Sequence, residues 1–182
     1  NMCGAVHCSD ISFVGIHRTL PRVIDEEVAN QCEIPNLVAS CPVGAIRPNP
    51  RKKSVTIDEK RCMYCGNCFS VCPAVPIANP DADGIAIFVG GKVSNTRKGP
   101  SFYKLVVPYI PNEPPRWPTL VKTIRNLVQV WMDGARPGER YGEWVERIGW
   151  EKFFELTGLE FTDKHIDDFT FSVKTFRTTS NF

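Results

Sequence analysis

The sequence predicts an α+β fold in which a small cysteine-rich module interrupts a sheet and a helical region closes the chain. Three observations carry that prediction. Two apolar runs of strand type, Ile11-Ser-Phe-Val-Gly-Ile16 and Ile85-Ala-Ile-Phe-Val89, flank the segment that holds six of the eight cysteines. Cysteines recur every third residue from Cys62 to Cys68. After Pro118, the residues Leu120, Ile124, Leu127, Val128 and Trp131 repeat at the helical period.

In chain order, the strand at 11–16 is bounded by Asp10 and by His17-Arg18. Asp25 is expected as the N-cap of a short helix, followed by a helical turn from Pro35 to Ser40. Ala45-Ile46-Arg47 and Ser54-Val-Thr-Ile57 read as a small hairpin around the turn 48–53, whose Arg51-Lys52-Lys53 is a solvated charge cluster or a dock for an acidic electron donor. In the cysteine loop, Gly66 and Asn67 are expected to take positive φ. Asp83-Gly84 is a turn into the strand 85–89, which is expected beside 11–16 in one sheet. Five prolines between Val106 and Pro118 exclude a helix there and predict an extended arm, laid on another surface or acting as a rigid linker. Three helices follow: one ending at Gly134 and Pro137, one from Glu139 through Ile148, and one from Trp150 to Gly158. Their aromatic stripes are expected in the core. The tail from Phe169 is expected to drape on a partner or on another part of a longer protein.

The cysteines carry the chemistry. Cys62-Met-Tyr-Cys65-Gly-Asn-Cys68-Phe-Ser-Val-Cys72-Pro73 is a C-x2-C-x2-C-x3-C-P run, the spacing of bacterial ferredoxins that bind a 4Fe–4S cluster. Where such proteins hold two clusters, the cysteine before the proline serves the other one. The fourth ligand for Cys62, Cys65 and Cys68 is then a distant Cys-Pro, and Cys41-Pro42 fits. The same template laid back from Cys41 falls on Gln31, Ile34 and Leu37, with Cys32 out of register. One cluster is therefore expected on Cys41, Cys62, Cys65 and Cys68, with Cys72 an orphan thiol. All-cysteine zinc is the rival reading, but zinc ribbons present two separated pairs.

Composition limits the alternatives. A net charge of +2 gives no reason to propose nucleic acid, and no apolar run approaches the ~18 residues of a membrane span. Cluster-type spacing implies thiols that stay reduced, hence the cytoplasm. The chain opens on Asn1 with Met2 running into Cys3-Gly4, and is expected to be truncated at its N-terminus.

Several segments carry a resemblance. Asn1-Met2-Cys3-Gly4 resembles the end of the C-x3-C motif of siroheme-dependent sulfite and nitrite reductases. Gly90-Gly91-Lys92-Val93-Ser94-Asn95-Thr96-Arg97 resembles their glycine-rich segment facing siroheme. With Cys-Pro-Val-Gly-Ala-Ile-Arg-Pro (41–48), the proline-rich stretch 107–120 and Ile-Gly-Trp-Glu-Lys-Phe-Phe-Glu-Leu-Thr-Gly (148–158), the chain is similar, over essentially its whole length, to the beta-subunit family of dissimilatory sulfite reductases.

The resemblance implies the C-terminal portion of such a subunit. Residues 1–20 would be a fragment of the siroheme domain and 21–78 an inserted ferredoxin domain. Residues 79–118 would return to the siroheme domain with the proline arm, and 119–182 would be the helical region and tail. It implies six-electron reduction of sulfite towards sulfide, with electrons entering through the ferredoxin-type cluster. Cys3 would bridge a second 4Fe–4S cluster to siroheme, with Gly90, Gly91, Lys92 and Arg97 at the macrocycle. The implied partners are an alpha subunit in an α2β2 assembly, a small cysteine-tailed sulfur-carrier protein and an electron donor protein. Arg18, Lys92 and Arg97 are candidate anion contacts, and His7, His17 and His165 are candidate proton donors or ordinary surface histidines. Two other readings stay open: a stand-alone single-cluster electron carrier, and the same enzyme type run in the sulfide-oxidising direction.

Overall fold

A computed structural model describes residues 2–93, 99–101 and 103–165, with side chains from Ala5 onward. The chain divides into two compact units, one made of the residues up to Gly15 together with those from Gly84, the other running from Ile16 to Asp83. Among the described residues no helix is long and apolar enough to cross a membrane.

The first unit is a three-stranded sheet covered by helices. Helix α1 (Met2–Cys8) leads into β1 (Ile11–Ile16), and the sheet order is β1, β4 (Gly84–Val89), β5 (Lys104–Pro111). Strands β1 and β4 are thus neighbours although separated in sequence by the second unit. Strand β5 pairs antiparallel with β4, with Ile85 opposite Ile110 and Phe88 opposite Leu105. The proline-rich stretch therefore differs from the expected arm in its first part, which is a paired strand. Pro108 is tolerated because β5 is an edge strand and the register shifts beside it.

Helices α5 (Pro118–Gly134), α6 (Tyr141–Ile148) and α7 (Trp150–Thr157) close this unit. Pro118 suits the first helical turn, and Gly158 ends α7 at φ +65°, a left-handed conformation that glycine adopts without strain. Ile87, Val89, Val106, Leu127, Trp144, Val145 and Phe153 form the core. Tyr141, Trp144 and Phe153 meet edge to face, with centroids 5.4–6.3 Å apart. Helix α6 begins two residues later than Glu139, because Asp10 holds its start: the Asp10 carboxylate accepts the Tyr141 N–H at 3.1 Å and the Arg140 guanidinium at 2.9 and 3.0 Å.

The second unit holds α2 (Asp25–Gln31), α3 (Ile34–Ala39), the hairpin β2 (Ile46–Asn49) and β3 (Ser54–Ile57), and the single turn α4 (Asn67–Val71). Asp25 is the first residue of α2 and not its cap. Its carboxylate accepts Ser54 Oγ and Lys52 Nζ, each at 2.8 Å, which fastens α2 to the hairpin and holds the carboxyl below its ordinary pKa, Lys52 first and Ser54 second. The ends of the unit are drawn together. Arg22 and Ile24 donate their N–H groups to Pro76 and Ala74, and His17 Nδ1 lies 2.9 Å from Asp83 Oδ2. Val28, Leu37, Ile46, Val55, Ala74 and Val75 fill its core.

Candidate iron–sulfur site

Each of the four cysteines singled out by spacing reaches one pocket by a different local route. Cys41 follows α3 at a Cys-Pro turn, Cys62 and Cys65 stand on an irregular loop, and Cys68 sits in α4. All four line the same pocket, together with apolar walls from Pro21, Pro42, Val43, Ile46, Ile57 and Ile77. The loop makes its bend at Tyr64, φ +55°, and Gly66, φ +77°. Gly66 agrees with expectation, but the second left-handed residue is Tyr64, because Asn67 is already the first residue of α4.

The thiols differ in exposure. Cys65 is exposed, Cys41 and Cys62 are intermediate and Cys68 is buried. Burial pushes the Cys62 and Cys68 thiols up, and neighbouring cysteines add to the shift in both. Hydrogen bonds from the backbone of Tyr64 and Phe69 act the other way. The Ala45 N–H donates to Cys41 Sγ at 3.2 Å. A cationic metal centre would relieve the repulsion between the four neighbouring thiolates. Among the described residues no three ligating side chains converge on a single ion. A cluster takes one thiolate at each iron corner and so suits ligands spread around one pocket better than zinc does.

Cys72 is corrected. It is not an orphan thiol: it is bonded to Cys32, with Cα atoms 5.5 Å apart across 40 residues of sequence. The expectation that every cysteine stays a thiol fails there because the end of α2 and the end of α4 meet in space, a contact that spacing alone does not reveal.

The glycine-rich segment lies in the first unit and is enclosed by its own chain. The Gly90 N–H donates to the Asp10 carbonyl at 2.9 Å, and its own carbonyl accepts Ser101 Oγ at 2.8 Å. A Cβ on Gly91 would collide with the Val6 and Ser9 carbonyl oxygens, and one on Gly142 with the Gly90 backbone at 2.8 Å. Lys92 is only 4% exposed, and its Nζ meets Glu143 Oε1 at 2.7 Å. Gly91 and Gly142 are therefore required by close approaches within the chain, and Gly90 by its positive φ of +90°. The Lys92 charge is already matched, as burial demands. These three residues do not by themselves form an open cradle for a macrocycle. Arg97 lies outside the described residues, as do the side chain of Cys3, which falls within α1 by its backbone, and the tail from Phe169.

The other polar candidates are held structurally. His165 Nε2 lies 3.1 Å from the Val106 carbonyl, with the ring against Phe154 and Phe161. His7 packs edge-on to Tyr103. Sequence reasoning missed Glu143 and the Asp10–Arg140 pair, whose contacts with Lys92 and across the unit span 51 and 130 residues of sequence.

With this geometry in view, the family described as the nitrite and sulphite reductase 4Fe-4S domain matches residues 1–165. The chain belongs to that family. It is 56% identical to the dissimilatory-type sulfite reductase subunit beta of Archaeoglobus fulgidus, a match covering 93% of this chain and 46% of that protein. It is 57% identical to the same subunit of Nitratidesulfovibrio vulgaris, again over 93% of this chain and 46% of the relative. The chain thus spans about half the length of the curated relatives it matches. Among solved structures, dissimilatory sulfite reductase I superposes with a TM-score of 0.74 at 24% identity, covering 91% of this chain and 42% of the other, which supports the α+β fold.

Proposed function

We propose that this family member serves as the electron-inlet portion of a dissimilatory sulfite reductase beta subunit. The observation that carries the reading is the convergence of Cys41, Cys62, Cys65 and Cys68 on one apolar pocket in a chain of this family. These four thiolates would hold a 4Fe–4S cluster, which when bound accepts and passes on single electrons. The chain's own residues do the rest. Pro21, Ile46, Ile57 and Ile77 keep water from the buried side of the pocket, and the Ala45 N–H stabilises negative charge on Cys41 sulfur. Cys65, on the exposed side, marks the face where a donor protein would approach.

The activity of the intact subunit is six-electron reduction of sulfite towards sulfide, in keeping with the names of the beta-subunit relatives. Siroheme and its coupled cluster belong to that longer protein, with Cys3 as the bridging ligand. Gly90, Gly91 and Lys92 serve there by holding the segment that leads to Arg97. The alpha subunit in an α2β2 assembly, a cysteine-tailed sulfur carrier, an electron donor and a cytoplasmic setting complete the reading.

Anaerobic reconstitution of this chain with iron and sulfide tests it. About four irons per chain, as one cubane requires, with the absorption of an iron–sulfur cluster and no siroheme band, is the expected result. Stoichiometric zinc at full occupancy, or iron uptake that survives Cys65→Ser, would sink the assignment.

A further inference from the structure

In the C-x2-C-x2-C-x3-C-P run, Cys72 is the cysteine that does not line the cluster pocket. A second cluster on Cys72 would take its remaining ligands from positions 31, 34 and 37, and these are Gln31, Ile34 and Leu37. Leu37 is wholly buried and packs in the same core cluster as Cys72, Val28 and Val75, so apolar side chains fill that place. Cys32 stands there too, at the C-terminal end of α2 in extended backbone, partly exposed and bonded to Cys72. Cys72 itself has no exposure, and its N–H donates to the Cys68 carbonyl at 2.8 Å. A covalent bond at Cys72 therefore braces the end of the single helical turn that presents Cys68.

We propose that Cys32 and Cys72 form a reversible dithiol–disulfide site in the place of a second cluster, and that its closed form slows loss of the cluster held by Cys41, Cys62, Cys65 and Cys68. The retention claim rests on the cluster assignment made above; the covalent site does not. The reductant is a dithiol. One of its thiolates attacks Cys32 Sγ, on the accessible side; the Cys32–Cys72 bond breaks and Cys72 leaves as a thiolate, which takes up the proton given up by the attacking thiol. The second thiol of the reagent then attacks the reagent sulfur bound to Cys32 and frees Cys32 as a thiol. Two electrons and two protons pass to the protein, and the reagent leaves as a cyclic disulfide.

The full chain, carrying its cluster and kept anaerobic, is divided into a portion exposed to oxidised glutathione and a portion treated with dithiothreitol. Peptide mapping after alkylation is expected to find Cys32 and Cys72 linked in the first and separately alkylated in the second. A monothiol such as glutathione is expected to be trapped on Cys32 and not on Cys72. Iron release to a chelator should be on the order of tenfold faster from the open form, as local opening of α4 would allow. Cys32→Ser should release iron at the open rate without any reductant; should that variant not fold, the two portions of wild-type chain decide alone. Free Cys32 and Cys72 in the oxidised portion would overturn the covalent site and, with it, the retention claim. A chain that takes up no iron in either state would overturn the cluster assignment and the retention claim together, whereas iron retained equally in both would sink the retention claim alone.

Discussion

Cys41-Pro42 and Cys72-Pro73 follow two short helices of the same unit, α3 and α4. Each proline occupies the second position of a turn, closed by Gly44 N–H on the Cys41 carbonyl and by Val75 N–H on the Cys72 carbonyl, 3.1 Å in both cases. The turn bond is the same, and the sulfurs part company. Cys41 is partly exposed, accepts the Ala45 N–H and faces three further thiols across an apolar pocket. Cys72 is sealed among Val28, Leu37 and Val75 and meets one thiol only. The turn fixes where a thiol stands, and the number of thiols around it decides its chemistry. Four sulfurs around one pocket suit a shared multi-iron centre, whereas two in contact can only bond to each other.

The sharpest way to break this comparison is to exchange the two cysteines for serine in turn. Cys41→Ser should abolish cluster uptake, since a hydroxyl is a poor substitute for a thiolate at iron. Cys72→Ser should still take up about four irons per chain. Iron analysis after anaerobic reconstitution reads both, and loss of iron from the Cys72 variant would mean that the two turns have the opposite roles. A second, smaller contrast appears without metal. Opening the Cys32–Cys72 bond releases a loop of 40 residues in the unfolded chain, worth about 4 kcal/mol by loop-closure entropy. Cys41→Ser in the metal-free chain should cost about 1 kcal/mol or less, the range of one modest hydrogen bond. Urea unfolding of the metal-free chain, with and without dithiol, measures both. Equal effects at the two sites would erase the distinction.

Much of this was legible before any coordinates. Strands at 11–16 and 85–89, the hairpin around 48–53 and the helices after Pro118 follow from period and punctuation. That Cys62, Cys65 and Cys68 line one pocket with Cys41 is in keeping with their spacing, because a thiolate loop has to place its cysteines at short, regular intervals. What spacing does not carry is contact at long range. Cys32 reads as a misplaced ligand because only the packing of α2 against α4 gives it a partner. Lys92 reads as an anion contact, and spacing does not show that Glu143, 51 residues downstream on α6, already meets it. The glycines at 90 and 91 were read as facing a macrocycle; within the described chain a Cβ on Gly91 would also meet the Val6 and Ser9 carbonyls, and Gly90 takes a φ of +90°. Asp25 was misplaced by one position, since an acid beside a helix start caps it or, as here, serves a neighbour across the hairpin.

The smallest effect concerns the clamp that closes the unit around both turns. Asp83 accepts the Asn79 N–H at 2.9 Å and the Arg18 N–H at 3.4 Å, and its Oδ2 lies 2.9 Å from His17 Nδ1. Burial pushes its carboxyl up, but the Asn79 N–H and His17 outweigh this and hold it below the ordinary value. A carboxyl whose pKa is lower folded than unfolded adds stability that is fully present above the unfolded value, about 3.9, and is lost as the pH falls through the folded one. Asp83→Asn in the metal-free chain should therefore cost about 1 kcal/mol near neutrality, given partial exposure. The wild-type and variant curves should converge on acidification. No carboxylate is bonded to either Cys-Pro turn among the described contacts, so acid should loosen the clamp and leave the Cys32–Cys72 bond closed. Urea midpoints between neutral and acidic pH, followed by peptide mapping of the same samples, test both parts. A stability gap that persists at acid pH would place the effect in packing instead of charge, and a bond that opens with the clamp would make the two turns depend on it equally.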